Sequence, residues 1–232
     1  MKALELNWPL RDPIIAQRFG QNDSPTYAAN GLRGHTGIDL VTSYGDTVRF
    51  AQDGRVYKFL NFNNPDLTKY RAVCQIIDLD GTDDCYEIHY GHCTKALCGL
   101  GPVETGDAAG LEGNIGVVTS KYRIVTTEEK LAGSTAGTHL HFQLRYCRKV
   151  TAIDPTKQYL DDLNGKPYFD GKYYYFVPHY ENGFNGCVDP LPYMTDMYAG
   201  DEAVVVSKLQ QVIDLLRRFI GIRWPNVKPV SV

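Results

Sequence analysis

The sequence lacks any long hydrophobic run: nowhere in its 232 residues do about 20 apolar residues follow one another, as a membrane-spanning helix requires. It also lacks an excess of basic residues, because 24 Lys and Arg face 27 Asp and Glu, which gives a formal net charge of −3. Sequence-independent binding of nucleic acid needs a basic face, so we expect no nucleic-acid partner. Residues 1–15 lack the apolar core and the small-residue cleavage site of a signal peptide, so we expect none.

What is present is an ordinary globular composition. Hydrophobic residues make up 43% of the chain and charged residues 22%, which excludes a disordered tail, a collagen-like rod and a coiled coil. The cysteines are even in number, yet a chain of this length needs no disulfide framework, so we favour buried thiols and leave disulfides open. The six cysteines are Cys74, Cys85, Cys93, Cys98, Cys147 and Cys187.

The first part of the chain has the pattern of short strands broken by Gly, Asn, Asp and Pro. Residues 47–51 and 54–59 alternate loosely around an Asp53-Gly54 turn, and residues 73–79 and 86–90 form a second candidate hairpin. Residues 142–146 alternate cleanly, and no helix-period pattern of useful length precedes residue 156. We therefore predict a mainly β fold built on an antiparallel sheet.

The last part of the chain has a different pattern. Residues 169–177 are rich in aromatics and resemble a hairpin, and Gly/Pro/Asn-rich loops follow to about residue 200. Asp201 is a suitable N-cap for an amphipathic helix at 202–220, whose apolar residues recur at steps of three and four. Such a stripe packs on its own domain or binds a protein partner, and the sequence leaves both open.

Five of the six histidines fall into three groups, each near the end of a predicted strand and beside a glycine. On an extended chain His35 and Asp39 point to the same side, and so do His139 and His141. His92 comes just past the end of a strand, where side chains reach into clefts. Imidazole and carboxylate suit Zn²⁺, and two His with one Asp leave a fourth position for water, whose pKa then falls toward about 7.

These motifs, in this order, resemble the lysostaphin/LytM-type zinc endopeptidases (metallopeptidase family 23), which cut peptide cross-links in bacterial peptidoglycan. The resemblance covers about residues 12–160. The segments that carry it are 15–20, GHTGIDL at 34–40, 44–48, 51–54, IHYGHC at 88–93, 103–107, GNIG at 113–116, GTHLHF at 137–142, 154–155 and 159–160.

The resemblance implies a lysostaphin-type peptidase domain and a role for each residue of the site. His35, Asp39 and His141 would be the zinc ligands. His139 would be the general base, and His92 would orient that base or stabilise the oxyanion of the tetrahedral intermediate.

The sequence departs from the family pattern at several places. Residues 117–133 intervene before the HLH motif, and they either narrow the substrate range at the rim of the cleft or form a neutral surface loop. Cys93 and Cys98 lack the second cysteine pair of a thiolate zinc site, although such a site stays an alternative. Tyr27 is a candidate for the oxyanion-stabilising tyrosine of some relatives and, alternatively, an ordinary loop residue. We interpret His89 as structural.

From these features we expect a zinc endopeptidase domain at 1–160, with 117–133 as an inserted loop, and an aromatic-rich extension with a C-terminal helix at 161–232. The expected activity is zinc-dependent hydrolysis of peptidoglycan stem peptides or cross-bridges. We expect it to act at the bacterial cell wall or periplasm, as a phage lysin released by a holin or as a virion-associated enzyme. The alternative is a catalytically silent LytM-like binding or structural module of a phage particle or cell-wall complex.

Overall fold

The structure is a computed structural model that describes residues 4–120 and 123–201. Within these ranges no helix combines the length and the apolar character that a membrane crossing demands. All six cysteines lie inside the described ranges and are free thiols, five of them buried, as the sequence favoured.

In the described residues, the elements up to Tyr198 are short strands with two five-residue helices and two 3₁₀ turns. In chain order they are β1 (Leu6–Trp8), β2 (Ile14–Gln17), α1 (Pro25–Ala29), β3 (Ile38–Val41), β4 (Thr47–Arg49), β5 (Gly54–Leu60), β6 (Ala72–Asp78), β7 (Asp84–Gly91), β8 (Lys95–Ala96), β9 (Gly101–Val103), β10 (Ala108–Leu111), β11 (Thr119–Ser120), β12 (Arg123–Ile124), α2 (Thr127–Leu131), β13 (Leu140–Val150), β14 (Tyr174–Phe176), the 3₁₀ turn Tyr180–Asn182, β15 (Cys187–Val188), the 3₁₀ turn Leu191–Tyr193 and β16 (Met194–Tyr198).

A nine-stranded antiparallel sheet organises the molecule. Seven strands follow the order β2-β3-β13-β7-β6-β5-β9, and β14 and β15 pair with the long strand β13. The second predicted hairpin is confirmed as β6 and β7, and residues 142–146 lie inside β13. The mainly antiparallel β class predicted from the sequence is therefore confirmed.

The two faces of this sheet carry different side chains, because alternate residues of each strand point to opposite faces. On one face Ile38, Leu40, Leu140 and Phe142 are fully buried in the main hydrophobic core. The other face carries Asp39 and His141, which are direct cross-strand partners. The period-two pattern thus separates a packed face from the face that bears the polar groups.

The hairpin predicted around Asp53-Gly54 is wrong. β4 pairs with β10 in a separate three-stranded sheet, whereas β5 pairs with β6 and β9 in the large sheet. Phe50 and Ala51, between the two strands, are buried in the main core, and the Phe50 amide donates to the carbonyl of Asp107 at 2.9 Å. Burial of these residues makes the segment a corner between two sheets instead of a tight turn.

The sequence pattern missed both short helices. α1 begins after Ser24, whose hydroxyl accepts from the Thr26 amide. α2 lies in the insertion 117–133, after the hairpin formed by β11 and β12, and it has a capping box between Thr126 and Glu129. That capping box is a local signal that could have predicted α2 from sequence.

The extension adds strands to the sheets instead of lying apart from them. β14 and β15 pair with β13, and β16 pairs in parallel with β1. Residues 199–201 are already helical, so helical backbone begins before the predicted cap Asp201. The predicted helix at 202–220 lies outside the described residues, and the domain division at residue 160 stays a prediction.

Candidate metal and catalytic site

His35 and Asp39 reach the site from a loop and the strand that follows it. The strand begins at Ile38, so only Asp39 belongs to it, and His35 lies in the loop before it, between the bends at 33–34 and 36–37, instead of on the extended chain that the sequence suggested. A Cβ at Gly37 would lie 2.5 Å from the carbonyl oxygen of Phe142. Glycine at this position therefore lets the bend lie directly against β13, next to His141.

Three electron-pair donor atoms meet where these elements touch. His35 Nε2 lies 2.9 Å from His141 Nδ1 and 3.1 Å from Asp39 Oδ1, and His141 Nδ1 lies 3.1 Å from the same carboxylate oxygen. The three residues form one of two groups of potential metal ligands among the described residues.

The size and chemistry of this triangle fit a zinc ion. Metal–ligand distances of about 2.0 Å place the ligands of a tetrahedral zinc site about 3.3 Å apart. His35 Nδ1 lies 3.3 Å from the carbonyl oxygen of Arg18, and because that oxygen only accepts, Nδ1 carries the proton and Nε2 keeps its lone pair. The residues predicted as ligands therefore bring three donor atoms together at the spacing of a zinc site.

Burial and nearby charges favour the protonation states that metal binding requires of Asp39 and His141. Burial alone would raise the pKa of Asp39, but the neighbouring imidazoles, His139 first and then His141 and His35, hold it well below its usual value. Burial lowers the pKa of His141, against the attraction of Asp39. The carboxylate is thus ionised and the His141 imidazole neutral near pH 7, as ligands must be.

His92 and His139 stand beside this triangle with their rings 4.4 Å apart. His92 follows β7 directly, as predicted, with a left-handed backbone at φ 62°, and its Nδ1 donates to the Ile115 carbonyl at 2.7 Å. His139 Nδ1 donates to the Gly137 carbonyl at 2.8 Å, and its Nε2 lies 3.7 Å from Asp39 Oδ1. Each ring therefore has Nδ1 protonated and Nε2 as the free acceptor when neutral.

Burial, reinforced by the nearby charges of His139 and His141, lowers the pKa of His92 well below its usual value. His92 is therefore neutral near pH 7. Its single N–H is already donated to Ile115, so Nε2 offers only a lone pair.

His89 lies apart from the donor triangle, in a buried ion-pair network on the same face of the sheet. Its Nε2 is 2.8 Å from Glu87 Oε1, which also accepts from the Tyr57 hydroxyl, and Arg145 donates to Glu87 Oε2 at 2.7 Å. Cys74 completes a second group of potential metal ligands with Glu87 and His89. Because Glu87 is already engaged by a guanidinium, this group is an internal salt bridge and not a metal site.

Two tyrosines border the site. Tyr27, on α1, donates to Gln17 Oε1 at 3.1 Å, its ring lies 6.0 Å from that of His35, and burial raises its pKa to about 12. Tyr70 packs edge-on against His92 at 5.1 Å and against His141 at 6.0 Å, and its buried hydroxyl has no hydrogen-bond partner among the described residues.

The sequence missed three residues that shape the site: Tyr70, Asn114 and Lys130. Tyr70 gave no signal, because its proximity to the histidines comes from a loop distant in sequence. Asn114 lies within the GNIG motif at 113–116, and Lys130 is in the insertion, where a lone lysine is normally a surface residue.

No family model and no curated protein matches the sequence. Among solved structures the chain is similar to LytU, at 21% identity over 79% of this chain and 86% of that chain, with a TM-score of 0.43. It is also similar to the catalytic domain of the antimicrobial peptidase lysostaphin from Staphylococcus simulans, at 17% identity over 78% and 92%, with a TM-score of 0.42. A zinc-containing peptidase from Vibrio cholerae aligns at 23% identity over 61% and 37%, with a TM-score of 0.41. These scores are low, so the functional proposal depends on the residues of the site.

Proposed function

We propose that the protein is a zinc-dependent endopeptidase that hydrolyses an amide bond in the stem peptides or cross-bridges of bacterial peptidoglycan. The observation that carries the proposal is the triangle of donor atoms from His35, Asp39 and His141, with two further histidines beside it. The choice of substrate follows from the family resemblance of the motifs between residues 12 and 160.

His35, Asp39 and His141 would hold a Zn²⁺ ion and, as three ligands, would leave room for substrate or water. A bound Zn²⁺ would supply Lewis acidity toward the scissile carbonyl and lower the pKa of water. Among the three ligands, Asp39 supplies the one negative charge, and His35 and His141 each supply an imidazole nitrogen. The Nδ1–H of His35, held by Arg18, keeps that ring oriented toward the site.

His139 is the general base of this proposal. Its Nδ1–H is donated to the Gly137 carbonyl, so the lone pair of Nε2 faces the site and can take a proton. Asp39 Oδ1 lies 3.7 Å from this Nε2, so the base stands directly beside the ligand group.

His92 is the partner of that base. Of its two predicted roles, orienting His139 fits better than stabilising an oxyanion, because neutral His92 has no N–H left to donate from Nε2. Its Nε2 is a free acceptor, and its ring centroid lies 4.4 Å from that of His139, the group that takes up the proton, so packing of the two rings can orient the base. A silent binding module would need neither histidine.

The test is digestion of purified sacculi, followed by mass spectrometry of the released fragments. The wild-type protein is expected to release new amino termini, to lose this activity with a chelator and to regain it with added zinc. His139→Ala should reduce the rate by about 10² to 10⁴-fold, the usual contribution of a general base, with zinc still bound. His179→Asn, in an exposed loop, is the matched control. Stoichiometric zinc without hydrolysis of several wall types would favour the silent module.

The cell-wall or periplasmic location, the phage setting and the protein partner of residues 202–220 also stay proposals. They come from the sequence alone, since the contacts above concern the hydrolytic site.

A further inference from the structure

Lys130 is a buried cation in the insertion 117–133. It lies in α2, only 9% of it is exposed, and its ammonium donates to the carbonyl of Gly116 and, at 3.4 Å, to that of Leu67. Burial lowers the pKa of Lys130, and no carboxylate of the described residues offsets this effect. Burial of a lysine ammonium with only carbonyl partners lowers the stability of the fold, because the charge loses its water without gaining a carboxylate. A lysine on a surface helix normally keeps its ammonium in solvent.

The peptide that Lys130 holds is adjacent to the acceptor of His92. The Ile115 carbonyl, one residue before Gly116, accepts the Nδ1–H of His92 at 2.7 Å. The Gly116 amide donates to the Leu67 carbonyl at 2.9 Å, so Lys130 and this amide share Leu67 as a partner. Gly116 has φ 111°, and a Cβ there would lie 3.0 Å from His92 Nδ1. The turn therefore fits closely around the imidazole.

The residues that follow the insertion provide the hydrogen-bond acceptor of His139. Gly137, which follows the insertion, provides the carbonyl that accepts from His139 Nδ1, and the backbone amide of His139 donates to the Gly113 carbonyl at 3.1 Å. Asn114 joins the two segments by donating to the carbonyls of Ser134 and Ala136 at 2.8 and 3.1 Å. One connected backbone framework thus sets both accessory histidines.

The described residues of the insertion pack and hydrogen-bond with one another. Val118 and Val125 are buried, and the Val125 amide donates to the Val118 carbonyl at 3.0 Å. The side chain of Glu129 closes the capping box with Thr126 and also pairs with Arg123. α2 therefore holds Lys130 in a defined place.

We propose that Lys130 is a positioning residue: it fixes the Gly116 peptide, and through it the Ile115 carbonyl that holds the tautomer and ring orientation of His92. This inference rests on the proposed function, in which His92 orients the base His139. It assigns to the insertion a role that neither sequence alternative included, since a neutral loop would not hold the backbone at the catalytic histidines.

The rival role, a substrate clamp, makes a different kinetic prediction. The insertion does expose Val117, Ile124 and Leu131, which could contact a stem peptide. A clamp that binds substrate acts on KM, whereas misplacement of the base and its partner acts on kcat. The two roles are therefore separated by which constant changes.

The experiment compares wild type, Lys130→Met, Lys130→Arg and the exposed control Lys95→Met as full-length, ¹⁵N-histidine-labelled proteins. NMR of the His92 ring reports its tautomer and the exchange of its Nδ1 proton with water, whether or not a substrate is known. In Lys130→Met we expect proton exchange to rise at least about tenfold, as expected when local opening becomes easier. We expect kcat on sacculi to fall about tenfold with KM within about twofold. Lys130→Arg, which keeps cationic donors, should partly restore both.

Unchanged His92 signals and kcat in Lys130→Met would overturn the proposal, and a rise of KM alone would replace it with the clamp. If Lys130→Met does not fold, Thr126→Ala loosens α2 while keeping Lys130 and should shift the His92 signals in the same direction. No shift in that variant would count against the proposal. If the wild-type protein hydrolyses no wall substrate, the proposed function fails, while the NMR comparison still decides the role of Lys130.

Discussion

Asp39 and His141 lie directly opposite each other on the adjacent antiparallel strands β3 and β13, with Asp39 Oδ1 3.1 Å from His141 Nδ1 although 102 residues separate them in sequence. Cross-strand partners share one face of a sheet, so the main-chain register alone brings the carboxylate and the imidazole together. A slip of one residue would turn one of them into the hydrophobic core. The candidate metal site therefore depends on the pairing of these two strands.

The first prediction concerns the charge of the ligand set. Asp39→Asn keeps the size of the side chain but removes the only carboxylate of the triangle, so zinc affinity should fall by at least about 10 to 100-fold. Competition with a chromogenic chelator measures this change. Asp80→Asn, at an exposed turn, is the control and should bind zinc as the wild type does. Equal affinity in the Asp39 and Asp80 variants would remove Asp39 from the site.

The second prediction concerns the space above Gly91. A Cβ at this residue would lie 2.6 Å from two ring carbons of Tyr70, the ring that packs against His92 and His141. Gly91→Ala must displace Tyr70, so we expect the free energy of unfolding to fall by about 1–3 kcal/mol, as for other overpacked sites. Urea unfolding measures the loss.

The control for Gly91→Ala is Gly99→Ala, because nothing lies within 4 Å of a Cβ at Gly99. A double-mutant cycle with Tyr70→Ala sharpens the test. If the clash with Tyr70 is the cause, Gly91→Ala should cost less stability in the Tyr70→Ala background. An equal cost in both backgrounds would show that the clash is not the cause.

The third prediction concerns the buried carboxylate Glu87. Burial would raise its pKa, but the charges of His89 and Arg145 and the hydrogen bonds from His89 and Tyr57 lower the pKa below its usual value. Glu87→Gln leaves Arg145 without its buried partner, so the free energy of unfolding at pH 7 should fall by about 3–5 kcal/mol.

The pH dependence of this effect has a definite sign. The folded-state pKa lies below the unfolded value of about 4.3, so the contribution of Glu87 is complete above that pH and is lost as the pH falls toward the folded-state pKa. The difference between wild type and Glu87→Gln should therefore narrow below about pH 4. Denaturant unfolding at several pH values, with the exposed Glu104→Gln as control, measures it. A difference that stays constant from neutral to acidic pH would contradict the assignment.

The fourth prediction concerns the hydroxyl of Tyr70. This buried oxygen has no hydrogen-bond partner among the described residues, and an unpaired buried hydroxyl destabilises a fold by about 1–3 kcal/mol. Tyr70→Phe removes that oxygen and keeps the ring against the histidines, so the free energy of unfolding should stay equal or rise. Thermal unfolding measures this change, and a clear loss of stability would mean that the hydroxyl is paired. Tyr175→Phe is the contrasting variant, since its hydroxyl contacts both Asp170 and Arg55.

The sequence predicted the parts of the fold and site that depend on local pattern. The alternation of apolar and polar residues predicted the β6–β7 hairpin and the central residues of β13. The prediction that His92 follows the end of a strand is confirmed. The predicted hairpin around Asp53-Gly54 failed because Phe50 and Ala51, between its two strands, are drawn into the core between two sheets. A local pattern of apolar and polar residues does not indicate which distant strand will pack over a buried residue.

The sequence by itself determined the chemistry available to this protein: the types of the donor groups, their spacing within each motif and the period-two separation of polar from apolar faces. Only the tertiary structure decided which of those groups meet. The register that sets Asp39 against His141, the Ile115 carbonyl that holds the tautomer of His92, and the contact of Lys130 with the Leu67 carbonyl all arise between segments distant in the chain. Hydrogen-bond register and close packing are properties of the assembled sheets and loops, and no local pattern contains them.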